Sequence, residues 1–423
     1  MQRALSFAKY LPAHDYEVHV VTAGNAATPV LDPGLLKHIP PQVQVHRCFT
    51  PEIPFYLRKK IWSLLAPGTP SPESSSTNAK SLKSSLASSI KGLFSPDPQV
   101  VWVPFAIRNA RRIIRKFGID YVLVTAPPFS TFLTGIALKK AFPQIKLVSD
   151  FRDEWLRFYL TEFDFLSGKG TLQRAQAIER ETVELSDLVL AVTETSLGEV
   201  RGRYPEQPDA KFAVIPNGYD PDVFVGFEPR LHGSGKLVVT HAGTVYRSAS
   251  PHYYLDALDA LPEEVRSQFE TRFMGRIADE EVAGLRNRGS GVKMLGNLPQ
   301  AQAIKNMEET DYLLVTMTND YSVPGKLLEY LATGKRILAL SPMHGEVAKI
   351  LRETRAGWCA APDDPEGIRR MLLEAHAAWR NALPSATDWA KVRAYERPRL
   401  AAQLARVLEQ RLATRPEPVG AAN

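Results

Sequence analysis

Ser322-Val-Pro-Gly-Lys-Leu-Leu-Glu-Tyr-Leu-Ala-Thr-Gly334 is the stretch on which the fold of this chain turns. It predicts a short helix. Pro324 suits a first turn, where its missing N–H costs nothing, and Gly334 can take the left-handed conformation that ends a helix. At the helical period Leu327, Leu328, Leu331 and Ala332 share one face, while Lys326, Glu329, Tyr330 and Thr333 share the other. The first face is expected in a core. On the second, Lys326 falls in the first turn, beside unpaired backbone N–H groups and the positive end of the helix dipole, where anions are held. Glu329, one turn on, is placed to accept hydrogen bonds from a neutral polyol such as a ribose, because a carboxylate beside a phosphate would repel it. Phosphate and ribose together describe a sugar nucleotide. The competing reading is an exposed Lys326–Glu329 ion pair worth about 0.2–0.5 kcal/mol and carrying no function.

Context favours the ligand. Strand-like runs flank the stretch, Asp311 to Met317 before it and Arg336 to Leu340 after it. A helix starting near the carboxyl end of a strand is where α/β domains hold such groups.

The chain has 423 residues, 44% of them hydrophobic, enough for two domains with separate cores. A net charge of +6 favours anionic partners, and no nucleic-acid-binding signature accompanies it. Cys48 and Cys359 are the only cysteines and share no motif, which points to a reducing, cytoplasmic compartment and to packing roles. No signal peptide is evident at Met1, and no apolar run reaches the roughly 18 residues of a spanning helix, so membrane contact is expected to be peripheral.

In chain order, a helix over Gln2 to Leu11 and strands at Tyr16 to Thr22 and Val43 to Cys48 open the first domain. Between Pro51 and Pro96 the composition turns basic, apolar and Ser-rich, with Leu57, Ile61, Leu64 and Leu65 on one helical face and Arg58, Lys59 and Lys60 interspersed. Such a segment is either a membrane-surface region or a loop whose apolar side covers its own domain. Helix Val103 to Phe117, strand Tyr121 to Thr125, the turn Ala126-Pro-Pro-Phe-Ser130, a helix to Ala141 and strand Ile145 to Ser149 follow. The last runs into Asp150-Phe-Arg-Asp-Glu-Trp155, a dense charged and aromatic group at a strand end. It is either functional or an internally paired Asp150–Arg152–Asp153 cluster that caps the next helix. Further alternation reaches Pro216-Asn217-Gly218, expected as the hinge between domains. A second α/β unit restarts with strand Lys236 to Thr240 and the small-residue loop His241-Ala-Gly-Thr244. There Gly243 allows a ligand close to the backbone and Arg247 could pair with a diphosphate. His241 is expected to be structural. The final helix, about Ala390 to Leu412, is expected to pack back on the first domain, with residues 413–423 as tail. The resulting divisions are 1–216, 217–388, 389–412 and 413–423. No phosphate loop, His-Glu-x-x-His, Cys-x-x-Cys or nucleophile elbow is present.

Two successive α/β units, the Pro-Asn-Gly hinge, the Gly-Thr loop and Pro324-Gly-Lys-Leu-Leu-Glu-Tyr-Leu-Ala-Thr-Gly334 together resemble a GT-B glycosyltransferase of the family-four retaining class. The first-domain stretches 126–130 and 150–155 are similar to a branch that builds bacterial surface polysaccharide. The resemblance implies two Rossmann-like domains with a cleft between them, in which donor and acceptor meet without a metal or other cofactor. It implies that Glu329 binds the donor ribose and that Gly243, Thr244, Arg247, Gly325, Lys326 and Leu327 meet the diphosphate. Asp153 would face the transferred sugar, and Arg247 and Lys326 would stabilise the leaving group. The expected partners are a nucleotide-sugar donor, a lipid-linked or saccharide acceptor and an anionic membrane surface. Relatives carry an earlier glutamate where this chain has Tyr321, with Asp320 one residue off register. They also begin with a strand and Gly-rich turn before the helix that opens here at Gln2, so a slot beside strand Tyr121 to Thr125 is expected. A non-catalytic sugar-nucleotide binder and a sugar-nucleotide epimerase are the alternatives on the same architecture.

Overall fold

The computed structural model describes residues 2–26, 38–51, 95–157, 169–228, 235–246, 249–286, 288 and 291–412. Most of the segment from Pro51 to Pro96, Arg247 and the 413–423 tail lie outside these residues. The chain divides into two compact units, one of Met1–Ile215 with Ala401–Asn423 and one of Pro216–Leu400.

In the first unit the elements run α1 (Gln2–Tyr10), β1 (His19–Ala23), β2 (Gln44–Cys48), α2 (Val103–Phe117), β3 (Tyr121–Ala126), α3 (Thr131–Ala141), β4 (Lys146–Phe151), α4 (Lys169–Leu185), β5 (Leu188–Ala191), α5 (Glu194–Arg203) and β6 (Phe212–Val214). Strands β3-β4-β5-β6 form one parallel sheet and β1-β2 a separate parallel pair. Among the described residues no ladder joins β1 to β3. Within the four-stranded sheet α3, α4 and α5 supply the crossovers that parallel pairing requires. Strand β4 extends two residues beyond the expected Ser149, so Asp150 and Phe151 belong to the sheet. Its apolar core is dense in aromatics: Phe129, Phe132, Phe151 and Trp155 are fully buried.

The second unit runs β7 (Leu237–Ala242), α6 (His252–Asp259), α7 (Glu263–Arg266), β8 (Phe269–Met274), α8 (Asp279–Arg286), β9 (Val292–Gly296), α9 (Gln300–Glu308), β10 (Tyr312–Thr316), α10 (Gly325–Thr333), β11 (Arg336–Leu340), α11 (Glu346–Thr354), β12 (Gly357–Ala360), α12 (Pro365–Arg380) and α13 (Trp389–Arg393). Its six-stranded parallel sheet has the order β12-β11-β10-β7-β8-β9. Helices cover both faces. Leu314, Leu338 and Leu340 pack with α6 and α12 on one side, and Leu313, Val315, Ile337 and Ala339 with α10 and α11 on the other. Burial on both faces is why these strands read as continuous apolar runs rather than alternating ones.

Helix α10 is the element expected from the opening stretch, with two corrections. Pro324 is extended and sits just outside the helix rather than in its first turn, making Gly325 the first helical residue. Tyr330 and Thr333 are buried with Leu327, Leu328 and Leu331, whereas Ala332 is only partly covered. Helix packing from two sides leaves a narrower polar face, Lys326 and Glu329 alone. Gly334 ends the helix at φ 67, in the left-handed region.

The expected final helix is two. After α13, capped by the Asp388 carboxylate, Ala394-Tyr395-Glu396 breaks the run before α14 (Arg397–Leu412). Pro398 has no N–H to give to a helix running in from α13 and so sits in the first turn of a new one. At this break Tyr219 N–H donates to the Tyr395 carbonyl at 3.0 Å and Arg397 N–H to the Tyr219 carbonyl at 2.9 Å. Helix α13 and the first four residues of α14 therefore belong to the second unit, and only the chain from Ala401 on belongs to the first.

Candidate functional site

At the carboxyl ends of β7 and β8 two glycines lie against each other. Gly243 has φ 144 and Gly275 φ 121, and a Cβ on Gly275 would stand 2.5 Å from the Gly243 carbonyl oxygen. Gly243 N–H donates to the Met274 carbonyl at 2.7 Å. Only glycine tolerates both the backbone conformation and the close approach. Gly275 was not legible as a site residue because nothing near it in sequence marks the contact.

Helix α10 starts beside this pair. The Lys326 side chain crosses Gly243 so closely that a Cβ there would meet its Cδ at 3.2 Å and its Nζ at 3.3 Å. Lys326 Nζ ends 2.8 Å from Nε2 of His241, a fully buried residue near the carboxyl end of β7. A charged ammonium carries donors and no acceptor, so in that form Lys326 donates to Nε2 of a neutral His241. Burial pushes the Lys326 ammonium down to about 7. Burial, then the neighbouring Lys326, holds His241 well below the usual imidazole range, so it is neutral at physiological pH. The Tyr330 hydroxyl accepts from Ala242 N–H at 2.6 Å and donates to the Ala242 carbonyl at 3.1 Å, clamping α10 to the end of β7.

Glu329 is half-buried, and among the described residues no hydrogen bond or ion pair engages its carboxylate. Burial raises its pKa, opposed by Arg397, whose Nε donates to the Gly218 carbonyl at 3.0 Å. The functionless Lys326–Glu329 pair is thus not formed, since Lys326 turns to His241 instead. Gly325 and Thr244 are exposed. The Leu327 side chain is buried in the core, and its N–H donates to the Pro324 carbonyl at 2.9 Å. Arg247 lies outside the described residues. Tyr321 is buried, and Asp320 lies 3.5 Å from His344. Among the described residues no group of His, Cys, Asp or Glu could hold a metal ion.

In the first unit the 150–155 cluster comes apart into separate roles. Asp150, fully buried, is held by Arg3 through Nε at 2.9 Å and Nη2 at 2.8 Å, and by the Thr125 hydroxyl at 2.7 Å. Arg152 donates to the carbonyls of Ala126 and Pro127. The helix-capping carboxylate is Glu154, which accepts from Arg157 N–H and also binds Arg203, itself paired with Glu179 at 2.7 Å. The Asp150–Arg152–Asp153 pairing weighed from sequence is therefore not what organises the cluster. A partner 147 residues away takes Asp150, which no local pattern could reveal. Asp153 is an exposed residue, but desolvation around its carboxyl raises it above the ordinary carboxylate range, opposed in part by Arg152. Phe129 stacks on Trp155 at 4.6 Å, joining the 126–130 turn to this strand end. Asp97, which accepts from Ser130 N–H at 2.8 Å, also fixes that turn.

Solved structures with this architecture are GT-B glycosyltransferases. Sucrose-phosphate synthase from Thermosynechococcus elongatus superposes with a TM-score of 0.63 at 13% identity, covering 96% of this chain and 91% of the other. WaaG, a glycosyltransferase involved in lipopolysaccharide biosynthesis, gives 0.59 at 14% identity over 97% and 95%. Anabaena HepE in complex with UDP gives 0.58 at 14% identity over 93% and 100%. The family model described as Glycosyltransferase Family 4 matches residues 63–223, and that described as Glycosyl transferases group 1 matches residues 236–377. Between them the two glycosyltransferase models take in most of the chain, and its fold is that of the GT-B glycosyltransferases. Among curated proteins, Probable glycosyltransferase WbjE of Pseudomonas aeruginosa is 28% identical over 144 residues, which is 33% of this chain and 36% of WbjE. The chain thus matches about a third of that relative's length.

Proposed function

We propose that the protein transfers a sugar from a nucleotide-sugar donor to a lipid-linked or saccharide acceptor, with retention of configuration, in the synthesis of bacterial surface polysaccharide. The observation that carries the donor half is the division of labour on α10. Lys326 lies over Gly243 with its amine on a neutral histidine, while Glu329 keeps an unengaged carboxylate one turn away. A diphosphate would meet Lys326 Nζ, the N–H groups of the first turn of α10 and Arg247, and the ribose hydroxyls would donate to Glu329. The solved HepE structures, with UDP and with UDP-glucose, make a uridine diphosphate the first donor to test.

Charge on the departing diphosphate would be offset by Lys326, Arg247 and the α10 dipole, of which Lys326 and the dipole already stand at the start of α10. In a same-face displacement the leaving phosphate oxygen takes the acceptor proton, so no separate protein base is needed. Asp153, an exposed residue just beyond the end of β4, is assigned to the transferred sugar and acceptor. The surface-polysaccharide setting is supported by the likeness to WbjE and to the fold of WaaG.

A thermal-shift panel of sugar nucleotides followed by turnover with the best binder tests the reading, since a ligand selective for the folded state raises its melting temperature by mass action. Sugar appearing on an acceptor supports transfer. Binding without turnover would favour a sugar-nucleotide scaffold, and an altered sugar nucleotide formed without acceptor would favour an epimerase.

A further inference from the structure

Four carboxylates are buried among the described residues of the first unit: Asp97, Asp150, Glu154 and Glu179. Arg3 holds Asp150, and Arg203 holds Glu154 and Glu179, but no ion pair to a described residue engages Asp97. Hydrogen bonds alone support its charge. Oδ1 accepts from Gln99 N–H at 3.1 Å and from the Ser130 hydroxyl at 2.6 Å, and Oδ2 accepts from Ser130 N–H at 2.8 Å. Burial raises this carboxyl above the ordinary carboxylate range, opposed by the bonds from Ser130, Phe129 and Gln99. The bond from Gln99 is local, since Asp97 caps the short 3-10 helix Pro98–Trp102 that leads into α2. Capping needs neither of the bonds from Ser130, which lies 33 residues further on. Ser130 in turn stands at the N-cap position of α3, where a serine hydroxyl can cap its own helix, yet this one is given to Asp97.

We propose that Asp97 is a positioning residue for sugar transfer, holding the turn 126–130 and through it the strand end that carries Asp153. It rests on the assignment of Asp153 to the transferred sugar. The contacts run without a gap from one residue to the other. Ser130 fastens the turn to Asp97, Arg152 N–H donates to the Ala126 carbonyl at 3.0 Å, and the Arg152 side chain takes the carbonyls of Ala126 and Pro127. Phe129 lies flat on Trp155 with ring planes 4° apart, so the turn is tied to the chain on both sides of Asp153. A carboxylate is required because the N–H groups of Gln99 and Ser130 meet different oxygens. Asparagine would offer one acceptor oxygen and set its own N–H groups against the second donor, so the turn would have to shift. A displacement of about 1 Å at a reacting group can lower turnover by about a hundredfold.

The test introduces Asp97→Asn, Asp153→Asn and both together into the full chain. Hydrogen exchange is read on peptides 126–133, 150–157 and 323–333, UDP-glucose affinity by calorimetry, and turnover as UDP release from UDP-glucose with octyl glucoside as acceptor. Asp97→Asn is expected to speed exchange about tenfold in the first two peptides and to leave 323–333 unchanged. Its Kd for UDP-glucose should stay at the wild-type value while kcat falls roughly ten- to a hundredfold, a split that a general loss of stability would not give. In the Asp153→Asn background the same substitution should cost less than about threefold, because the group it positions is already gone. Should Asp97→Asn fail to fold, Ser130→Ala takes its place, since it removes one bond to Asp97 and leaves both backbone bonds, and the same changes are expected in smaller measure. Unchanged exchange over 150–157, an unchanged kcat, or fully additive losses in the double variant would each overturn the proposal. A wild type that releases no UDP would count against the transfer reading alone, and exchange over 150–157 then still decides whether Asp97 holds that strand end.

Discussion

Sugar-nucleotide binding should take up a proton, and the site geometry sets how much. In the empty site burial holds Lys326 near 7. A diphosphate against Nζ should return it toward the ordinary lysine value of about 10.4. Uptake equals the unprotonated fraction before binding less that after it, giving roughly half a proton at pH 7 and nearly one at pH 8.5. Affinity should be flat below about pH 6 and fall about fifteenfold between pH 7 and 8.5, or ~1.6 kcal/mol. The sign for the empty protein is opposite. Because the folded pKa lies below the unfolded one, the unfolded chain binds more protons from pH 7 to about 10, and folding stability gains across that window. Calorimetry of UDP-glucose binding in buffers of high and low ionisation enthalpy reads the uptake directly, since its phosphodiesters do not titrate in this range. Lys326→Met should abolish uptake and flatten the pH profile. Uptake near zero at pH 8.5 in wild type, or an affinity unchanged from pH 7 to 8.5, would refute the assignment of Lys326 to phosphate.

Glu329→Ala should cost about 1.5–3 kcal/mol of nucleotide affinity, by titration, while leaving the melting temperature unchanged or higher, because the carboxylate has no bonded partner to lose. Gly243→Ala puts a Cβ 3.2 Å from Lys326 Cδ at φ 144, so donor affinity should fall at least tenfold and the Lys326-dependent proton uptake should shift with it. An alanine variant binding like wild type would show that the close approach has no role. Arg3→Ala leaves Asp150 buried without its cation and should destabilise the first unit by about 3–5 kcal/mol in urea unfolding. A loss under about 1 kcal/mol would mean that the buried Arg3–Asp150 pair does not hold the first unit together.

The second unit was the more legible of the two in sequence. Its central strands β7, β10 and β11 are apolar on both faces and alternate with helices, and the pattern from Asp311 to Leu340 brackets α10 to within a residue or two. Lys326 and Glu329 were identified because helix position alone gives them different tasks. Their environment was not, because His241, 85 residues earlier in the chain, supplies it through a backbone approach that only Gly243 permits. Tyr330 was placed on the polar face because helical period assumes a single buried side, and α10 has a second one against β7. In the first unit the charged run at 150–155 was visible as a group but not in its roles. Arg3 and Arg203 decide which carboxylate is buried, and neither is near the run in sequence. The break before α14 could have been inferred from Pro398.

The most direct test is a crystal structure with UDP bound, refined from diffraction data. The diphosphate is expected against Lys326 Nζ and the backbone N–H groups at the start of α10, with the Lys326–His241 contact lengthened and the ribose hydroxyls on Glu329. UDP bound elsewhere, or bound here with its ribose turned away from Glu329 and its phosphates out of reach of Lys326, would contradict the account.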